Sequence, residues 1–302
     1  MFKDWLKLKY KNHEIHVEGE NKLAKAITAV LIVVMLVVGF GIGLISSPFL
    51  LPKNTSTVDT VWEHIQQTKI IKVGTDATWP PYQFRDNVTN EIVGFEVDLA
   101  NACAEKLNLT IQWNDVSFDT IVLSVQNGQY DMGVSGFSVT PKRLDEVSFT
   151  MPHSTTQGQV IMLQSAIVAK NITTLSSLAD FKSKGIIVGV QSGNVEEDEL
   201  RAAGVEIRVW SDSASPFLDM VSGNPSVQAV YAETPITTNW INQFASEGKS
   251  ASVVYQHPYY PVAFLVSKNS HTFLDKMDGA LTQLIYDGTV DQLKTKWQIP
   301  AT

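Results

Sequence analysis

The longest apolar stretch of the chain lies near its N-terminus. Residues 26–45 form a run of 20 uncharged, mostly apolar residues. As an α-helix this run would be about 30 Å long, which matches the hydrocarbon core of a bilayer. Six Lys precede the run, whereas Lys53 alone follows it closely. Because cytoplasmic flanks of membrane helices are enriched in Lys, the pattern predicts a basic cytoplasmic segment over 1–25, a single transmembrane helix over 26–45 and an external C-terminal part.

A cleaved signal peptide is the alternative for this segment. The apolar region of such a peptide is usually about 7–15 residues long and ends at a cleavage site with small residues. Here the run is longer, and Ser46-Ser-Pro-Phe-Leu after it is a poor cleavage site. The pattern therefore favours an uncleaved anchor. Residues 46–57 contain Ser, Thr, Pro and Asn and are predicted to be a linker.

Beyond the linker, short apolar runs alternate with stretches of helical periodicity. Strands are predicted over 70–74, 110–113, 131–134, 186–190, 207–210 and 228–231. Helices are predicted over 58–68, 96–107, 118–126, 195–203, 273–287 and 290–297, with a further helix from the last of these strands through Trp240. Such alternation indicates βαβ units and largely parallel sheets. The pattern restarts in the second half, which indicates two α/β lobes.

Composition and charge exclude several classes of protein. The first 45 residues carry six Lys and four acidic residues, whereas the rest of the chain carries 17 basic and 27 acidic residues. This acidic main part argues against nucleic acid as a partner. The lone Cys103 excludes an internal disulfide framework and has the spacing of a buried helix residue. The six His show no metal-ligand spacing, so neither a metal site nor a cofactor is predicted.

Three short motifs carry the chemical signal. Gly-Thr-Asp-Ala-Thr at 74–78 ends a predicted strand and leads into the corner Trp79-Pro-Pro-Tyr. Gly-Phe-Glu-Val-Asp-Leu-Ala at 94–100 opens a helix, and Ser-Gly-Phe-Ser-Val-Thr-Pro-Lys-Arg at 135–143 follows another strand. In this order and spacing the motifs resemble the extracellular solute-binding proteins of family 3, the polar amino acid binders of bacteria and archaea. The resemblance covers roughly residues 60–300.

The resemblance implies a two-lobed α/β fold, the periplasmic-binding-protein-like fold of type II. In that fold the chain crosses twice between the lobes at a hinge. We expect lobe 1 to be formed by residues 58–156 and 259–302 and lobe 2 by residues 157–258. The crossings are expected near 156–159 and 257–262, where Pro258 and Pro261 suit an extended segment.

Arg143 is the first candidate for ligand binding. Thr140 can cap a helix that begins at Pro141, which places Arg143 in the first turn beside free backbone N–H groups. A guanidinium offers two parallel donors that match a carboxylate. The resemblance implies that Arg143 holds the α-carboxylate of the ligand. The alternative is a surface Arg paired with Asp145 or Glu146.

Further candidates follow from the resemblance. Glu233 stands where the family usually has an Asp that binds the α-ammonium, and its alternative role is a carboxylate at a helix N-terminus. Asp76 would meet the polar end of the ligand side chain. Trp79 and Phe118 would enclose its aliphatic part, although Phe118 could equally be a core residue.

Backbone, hydroxyl and amide groups complete the implied site. The positions concerned are Ser135, Gly136, Ser138, Gln191, Gly193, Asn194 and Val195. Val195 departs from the family pattern because it lacks a hydroxyl group, so only its N–H could serve. Asn194 and Glu197 also have the spacing of a capping box, which is compatible with ligand binding.

The implied function is transport rather than catalysis. The resemblance predicts a membrane-tethered receptor that binds a small polar or cationic amino acid outside the cytoplasm and delivers it to the permease of an ABC importer. Two alternatives remain open. One is a dehydratase on the same fold, acting on prephenate-like acids with Glu233 as general acid. The other is the ligand-binding subunit of a sensor complex.

Overall fold

The computed structural model describes residues 59–173 and 175–299 of the 302-residue chain. The predicted cytoplasmic segment, transmembrane helix and linker all lie outside the described residues. Within the described part of the chain, no helix is both long enough and apolar enough to cross a membrane.

Thirteen strands occur in the described residues. In chain order they are β1 (Ile70–Thr75), β2 (Thr78–Trp79), β3 (Gln83–Arg85), β4 (Ile92–Val93), β5 (Thr110–Asp115), β6 (Met132–Gly133), β7 (Ser148–Phe149), β8 (Ser154–Leu163), β9 (Val188–Gln191), β10 (Ile207–Trp210), β11 (Ala229–Glu233), β12 (Ala251–Val262) and β13 (Leu265–Val266).

Eleven helices connect these strands within the same residues. They are α1 (Thr60–Thr68), α2 (Phe95–Lys106), α3 (Phe118–Gln126), α4 (Pro141–Glu146), α5 (Gln164–Ala169), α6 (Leu178–Ser183), α7 (Val195–Ala202), α8 (Ser215–Met220), α9 (Thr234–Ser246), α10 (His271–Tyr286) and α11 (Thr289–Lys296). The bounds predicted for the strands and helices agree with these to within two residues, except that α9 extends beyond Trp240.

The strands form two five-stranded sheets and one small sheet. The first has the order β5-β1-β6-β13-β7, the second has the order β10-β9-β11-β8-β12, and β2-β3-β4 form the third. In the first sheet β1 runs parallel to β5 and β6, and in the second β9 runs parallel to β10 and β11. The other pairs are antiparallel. The prediction of largely parallel sheets is therefore confirmed for β5-β1-β6 and β10-β9-β11. It is wrong for the pairs formed by β7, β8, β12 and β13, which are antiparallel.

The two longest strands carry the chain between the sheets. β8 follows β7 of the first sheet, β12 leads back into β13 of the first sheet, and β8 and β12 pair antiparallel in the second sheet. The first sheet therefore contains two separate chain segments. The segments 156–159 and 257–262, where crossings were expected, lie within β8 and β12. The exact lobe limits stay predictions, because a continuous strand does not mark where one lobe ends.

The hydrophobic core of the first lobe is built on one face of α2. Phe95, Leu99 and Cys103 are fully buried there, as their spacing predicts. The N-terminus of this helix rests on the Trp-Pro-Pro-Tyr corner, because the backbone N–H of Phe95 donates to the carbonyl of Pro81 over 2.9 Å. The corner and the helix thus form one unit, which explains why these two motifs occur together in the sequence.

Gly94 makes this contact possible. Its φ of +139° lies in a region that side chains rarely adopt, and a Cβ at this position would lie 2.2 Å from the carbonyl oxygen of Tyr82. We predict that Gly94→Ala lowers the free energy of unfolding by at least about 2 kcal/mol, through backbone strain and a clash with backbone. Urea denaturation would measure this change.

Gly279→Ala is the matched control for this prediction. Gly279 lies inside α10, and an added Cβ would meet nothing within 4 Å. The same substitution should therefore raise stability by about 0.5–1 kcal/mol. Equal effects at the two positions would contradict the structural role of Gly94.

Candidate functional site

The candidate site lies where the carboxyl ends of parallel strands in both large sheets meet. Asp76 and Ser135 follow β1 and β6, whereas Gln191 and Glu233 end β9 and β11. Ligands of open α/β sheets bind beyond this edge of the strands. About 250 Å³ of empty space, which includes space open to solvent, is lined here by Asp76, Trp79, Gln83, Phe118, Ser135, Gln191, Asn194 and Glu233.

Direct hydrogen bonds join the two lobes around this cavity. The bonds, with their distances, are Gln191 Nε2 to Asp76 Oδ2 (2.6 Å), Ser213 Oγ to Thr78 O (2.6 Å), Ser192 Oγ to Asp119 Oδ2 (2.8 Å) and Lys142 Nζ to Asp198 Oδ2 (2.7 Å). In each case one partner belongs to the first lobe and the other to the second. The structure is therefore that of a closed cleft.

Arg143 is buried, with 8% of its surface exposed. Thr140 caps α4 as predicted, and Pro141 is the first residue of that helix. The guanidinium donates to the carbonyl of Ser138 over 3.0 Å and, across the lobes, to the carbonyl of Gly193 over 3.1 Å. The arginine is therefore buried and bridges the two lobes, and it is not the surface Arg paired with Asp145 or Glu146 of the alternative interpretation.

Two aromatic rings support the guanidinium. Its central carbon lies 5.6 Å from the ring centroid of Phe118 and 5.3 Å from that of Phe137, and the two rings stack on each other at 4.9 Å. Phe118 also belongs to the hydrophobic core of its lobe. Both interpretations of Phe118 therefore describe the structure: it is a core residue, and one part of it lines the cavity.

Glu233 faces Arg143 from the other lobe. It ends β11 and caps α9 without a side-chain hydrogen bond to the helix. Burial raises the pKa of Glu233 to about 7, while its own backbone N–H and Arg143 act in the opposite direction. Burial also raises the pKa of Glu196, and the negative charge of Glu233 raises it further. The two acidic side chains therefore interact electrostatically next to Arg143.

Asp76 also lines the cavity. One oxygen of its carboxylate accepts from Thr78 Oγ1 over 2.7 Å, and the other accepts from Gln191 Nε2. Burial raises the pKa of Asp76 to about 6, against these two hydrogen bonds, and the nearby carboxylates of Asp115 and Asp212 add to the increase. Negative charge therefore predominates around Asp76.

Trp79 is buried beside Asp76 and packs on Tyr82, with 4.6 Å between ring centroids. Gly136 allows this placement. Its φ is +61°, and a Cβ there would lie 2.1 Å from the indole of Trp79. The backbone N–H of Gly136 donates to Glu96 Oε2 over 2.7 Å, so it already has a partner within the protein.

The remaining predicted positions lie around the cavity and have structural partners. Ser138 contributes its carbonyl to Arg143, and the N–H of Gly193 donates to Glu197 Oε2 over 2.8 Å. Asn194 caps α7 through a bond from the N–H of Glu197 and also lines the cavity. Val195 follows as the first residue of that helix and is buried. Their contacts with a ligand stay predictions.

Sequence reasoning missed several residues of the cleft. Gln83 lines the cavity, and Thr78 and Ser213 join the lobes beside it. Gln83 directly follows the Trp-Pro-Pro-Tyr corner, which was a usable signal. Ser213 and the buried Glu196 had none, because they lie in loop and helix segments whose polarity is ordinary for a surface. In the described residues, no group of three His, Cys, Asp or Glu side chains could hold a metal ion.

Comparison with known proteins identifies the family. Bacterial extracellular solute-binding proteins, family 3, match residues 71–300, and the chain belongs to this family. It is 27% identical over 231 residues to ABC transporter arginine-binding protein 1 of Escherichia coli (strain K12), covering 75% of this chain and 90% of that protein. The expected two-lobed α/β fold of a solute-binding protein is thereby confirmed.

Solved structures agree with this assignment. An ancestral arginine-binding protein bound to arginine aligns with a TM-score of 0.67 and 29% identity, over 76% of this chain and 98% of that one. An ancestral amino acid-binding protein described as a precursor of cyclohexadienyl dehydratase aligns with a TM-score of 0.67 and 27% identity, over 79% of this chain and 99% of that one.

The raised pKa values of Asp76 and Glu233 predict how the stability of the folded protein depends on pH. Asp76 and Glu233 titrate near 6 and 7 in the folded protein, above their ordinary values of 3.8 and 4.5. The folded state therefore binds more protons between about pH 4 and 7, so its stability falls as the pH rises through this window. We predict that Asp76→Asn and Glu233→Gln each reduce this fall by about 1–3 kcal/mol.

Urea denaturation without added amino acid, at about pH 4.5 and about pH 7.5, measures this effect. Glu105→Gln is a suitable control, because Glu105 is exposed on α2. A fall in stability that is as steep in both cleft variants as in the control would contradict the prediction.

Proposed function

We propose that the protein binds an amino acid with a cationic side chain between its two lobes and delivers it to the permease of an ABC importer. The observation that carries this proposal is the set of charges at the cleft between the lobes. Asp76 and Glu233 line the cavity as two acidic groups, and the buried cation of Arg143 bonds across the lobes and acts electrostatically on Glu233. An amino acid with a basic side chain carries the complementary charges.

Each charged group of such a ligand has a partner in the cleft. The α-carboxylate would bind the guanidinium of Arg143 and the α-ammonium would bind Glu233, each through charge-assisted hydrogen bonds. The basic side chain would extend along Trp79 and Phe118 towards Asp76. Charge complementarity of this kind favours the correct ligand and disfavours acidic amino acids, whose side chain would meet Asp76.

The two-lobed architecture explains how binding would be coupled to closure. Arg143 belongs to the first lobe and Glu233 to the second, so both poles of the ligand are satisfied only when the lobes are closed. The crossing strands β8 and β12 provide the hinge. A permease can then distinguish the loaded, closed receptor from the open one by its shape.

The names of relatives support the choice of ligand and role. The similar Escherichia coli protein is named an arginine-binding protein of an ABC transporter, and the similar ancestral protein was solved with arginine bound. We further propose that the apolar run 26–45 anchors the chain in the cell membrane, with the N-terminus in the cytoplasm and the binding domain outside. The lysine distribution around the run supports this orientation.

An enzymatic role is the second candidate. Its specific support is the likeness to a precursor of a dehydratase, together with Glu233, whose raised pKa suits a general acid. We propose that the protein is not an enzyme, because the carboxylate of Glu233 is needed to bind the ammonium. Release of carbon dioxide and water from a prephenate-like acid by the purified protein would contradict this. A sensor complex would use the same binding site with a different partner.

Arg143→Ala tests the site. In a thermal-shift screen against the common amino acids, the unmodified protein should be stabilised most by arginine, lysine or ornithine. The variant should bind the best of these at least about tenfold more weakly, a loss of about 1.4 kcal/mol or more, measured by calorimetry. Arg208→Ala is the control, since Arg208 is an exposed residue paired with Glu206. Equal affinities of the two variants would refute the role of Arg143.

Asp76→Asn tests the ligand class separately. It removes one charge and keeps the shape, so the affinity for L-arginine should fall at least about tenfold while that for L-glutamine changes less than about threefold. Isothermal titration with both amino acids measures the two changes. Asp145→Asn, at an exposed position of α4, should alter neither. A parallel loss for both ligands would mean that Asp76 does not select the side chain.

A further inference from the structure

An ion pair outside the cavity joins the two lobes. Lys142 Nζ lies 2.7 Å from Asp198 Oδ2, and neither residue lines the cavity. Lys142 belongs to α4, which follows β6 of the first sheet, whereas Asp198 belongs to α7, which follows β9 of the second. The two side chains are 67% and 54% exposed. The pair therefore connects the lobes at the protein surface, apart from the groups proposed to bind the ligand.

The segment that leads into α7 contacts the first lobe directly. Gly193 has a φ of +76°, and a Cβ at this position would lie 2.8 Å from the Cβ of Asp119 in α3. Ser192 Oγ donates to Asp119 Oδ2 over 2.8 Å, and the carbonyl of Gly193 accepts from Arg143. Protein atoms of both lobes thus fix the start of α7 against the first lobe. This contact holds Asp198 within reach of Lys142.

Neighbouring acids of α7 have different partners. Glu197 pairs within its own helix with Arg201 over 2.7 Å, whereas Asp198 pairs across the lobes with Lys142. Asp198 also acts electrostatically on Arg143, the residue that follows Lys142 in α4. Opposite charges on the two helices therefore attract each other between the lobes.

A contact between the lobes stabilises only the closed form. When the lobes separate, the two partners separate as well, so the free energy of the pair belongs to the closed form alone. An exposed ion pair changes an equilibrium by no more than about fivefold. This effect is small compared with the stability of the fold, but it acts directly on the opening of the loaded protein. A ligand enclosed between the lobes can leave only after that opening.

We propose that Lys142 and Asp198 form a latch that slows the release of the bound amino acid without contacting it. The inference rests on the proposed function and adds control of the ligand's residence time to it. Because the latch acts on the opening of the lobes and not on the ligand, it slows the release of different amino acids by the same factor. A residue that contacts the ligand side chain, as proposed for Asp76, acts on some amino acids more than on others.

Charge reversal measures the contribution of the latch. Stopped-flow displacement gives the dissociation rates of L-arginine and L-lysine from the full-length protein at low salt. Lys142→Glu replaces attraction to Asp198 by repulsion, so both ligands should be released about three- to tenfold faster, and by the same factor. Lys142→Glu combined with Asp198→Lys restores opposite charges, so release should be slower than in Lys142→Glu alone. Faster release of only one of the two ligands would contradict the latch.

Lys106→Glu is the matched control. Lys106 pairs with Asp287 over 2.9 Å, the side chains are 38% and 40% exposed, and both partners belong to the first lobe. The substitution makes the same chemical change in an ion pair that does not cross between the lobes. Release from this variant should therefore stay within about twofold of that from the unmodified protein. Equal release rates in Lys142→Glu and Lys106→Glu would overturn the inference.

A second variant covers the case in which Lys142→Glu does not fold. Asp198→Asn removes one charge with little change of shape and should release L-arginine about two- to fivefold faster than the unmodified protein. Salt screens exposed charges, so the ratio of the two release rates should fall towards one as NaCl rises from about 0.02 M to about 0.5 M. A ratio that does not change with salt would contradict an electrostatic latch.

The outcomes separate the latch from the proposed function. Binding of arginine with unchanged release rates in Lys142→Glu and Asp198→Asn would refute the latch and leave the proposed function intact. Failure of every basic amino acid to bind the unmodified protein would refute the proposed function, and the latch with it.

Discussion

A positive charge buried between two lobes governs the chemistry of this protein. The guanidinium of Arg143 rests on two aromatic rings of its own lobe and reaches a backbone carbonyl of the other. The two carbonyl groups that accept hydrogen bonds from it do not neutralise its charge. An arginine removed from water requires negative charge nearby, and the second lobe supplies it through Glu196 and Glu233. A ligand carboxylate and ammonium would insert into this arrangement as a complementary pair of charges.

The sheets determine where these charges can be placed. Strands that run parallel end at a common edge, and the residues that follow them form the walls of the cleft. Helices α4 and α7 begin at this edge with the caps Thr140 and Asn194, so local hydrogen bonding fixes the positions of Arg143 and Glu196. The antiparallel pair of β8 and β12 then connects the two walls.

Much of the fold could be predicted from the sequence because its signals are local. Caps, glycines and periodic apolar residues depend on neighbours within one or two turns, and they located most of the helices and six of the thirteen strands in the described residues. Short elements such as β7, β13 and α8 carry too few residues for a periodic signal. The strands β8 and β12 were expected only as crossing segments, because their pairing joins parts of the chain that are about 100 positions apart.

The features of the site also separate into those with a local sequence signal and those that depend on distant residues. The sequence determined that Arg143 lies in the first turn of a capped helix and that Asp76 follows a strand, since each property depends on adjacent residues. Only the tertiary structure decided which member of the acidic run 196–199 is fully buried. Burial and the pKa of a carboxyl group depend on groups brought from distant parts of the chain, and no local pattern records them.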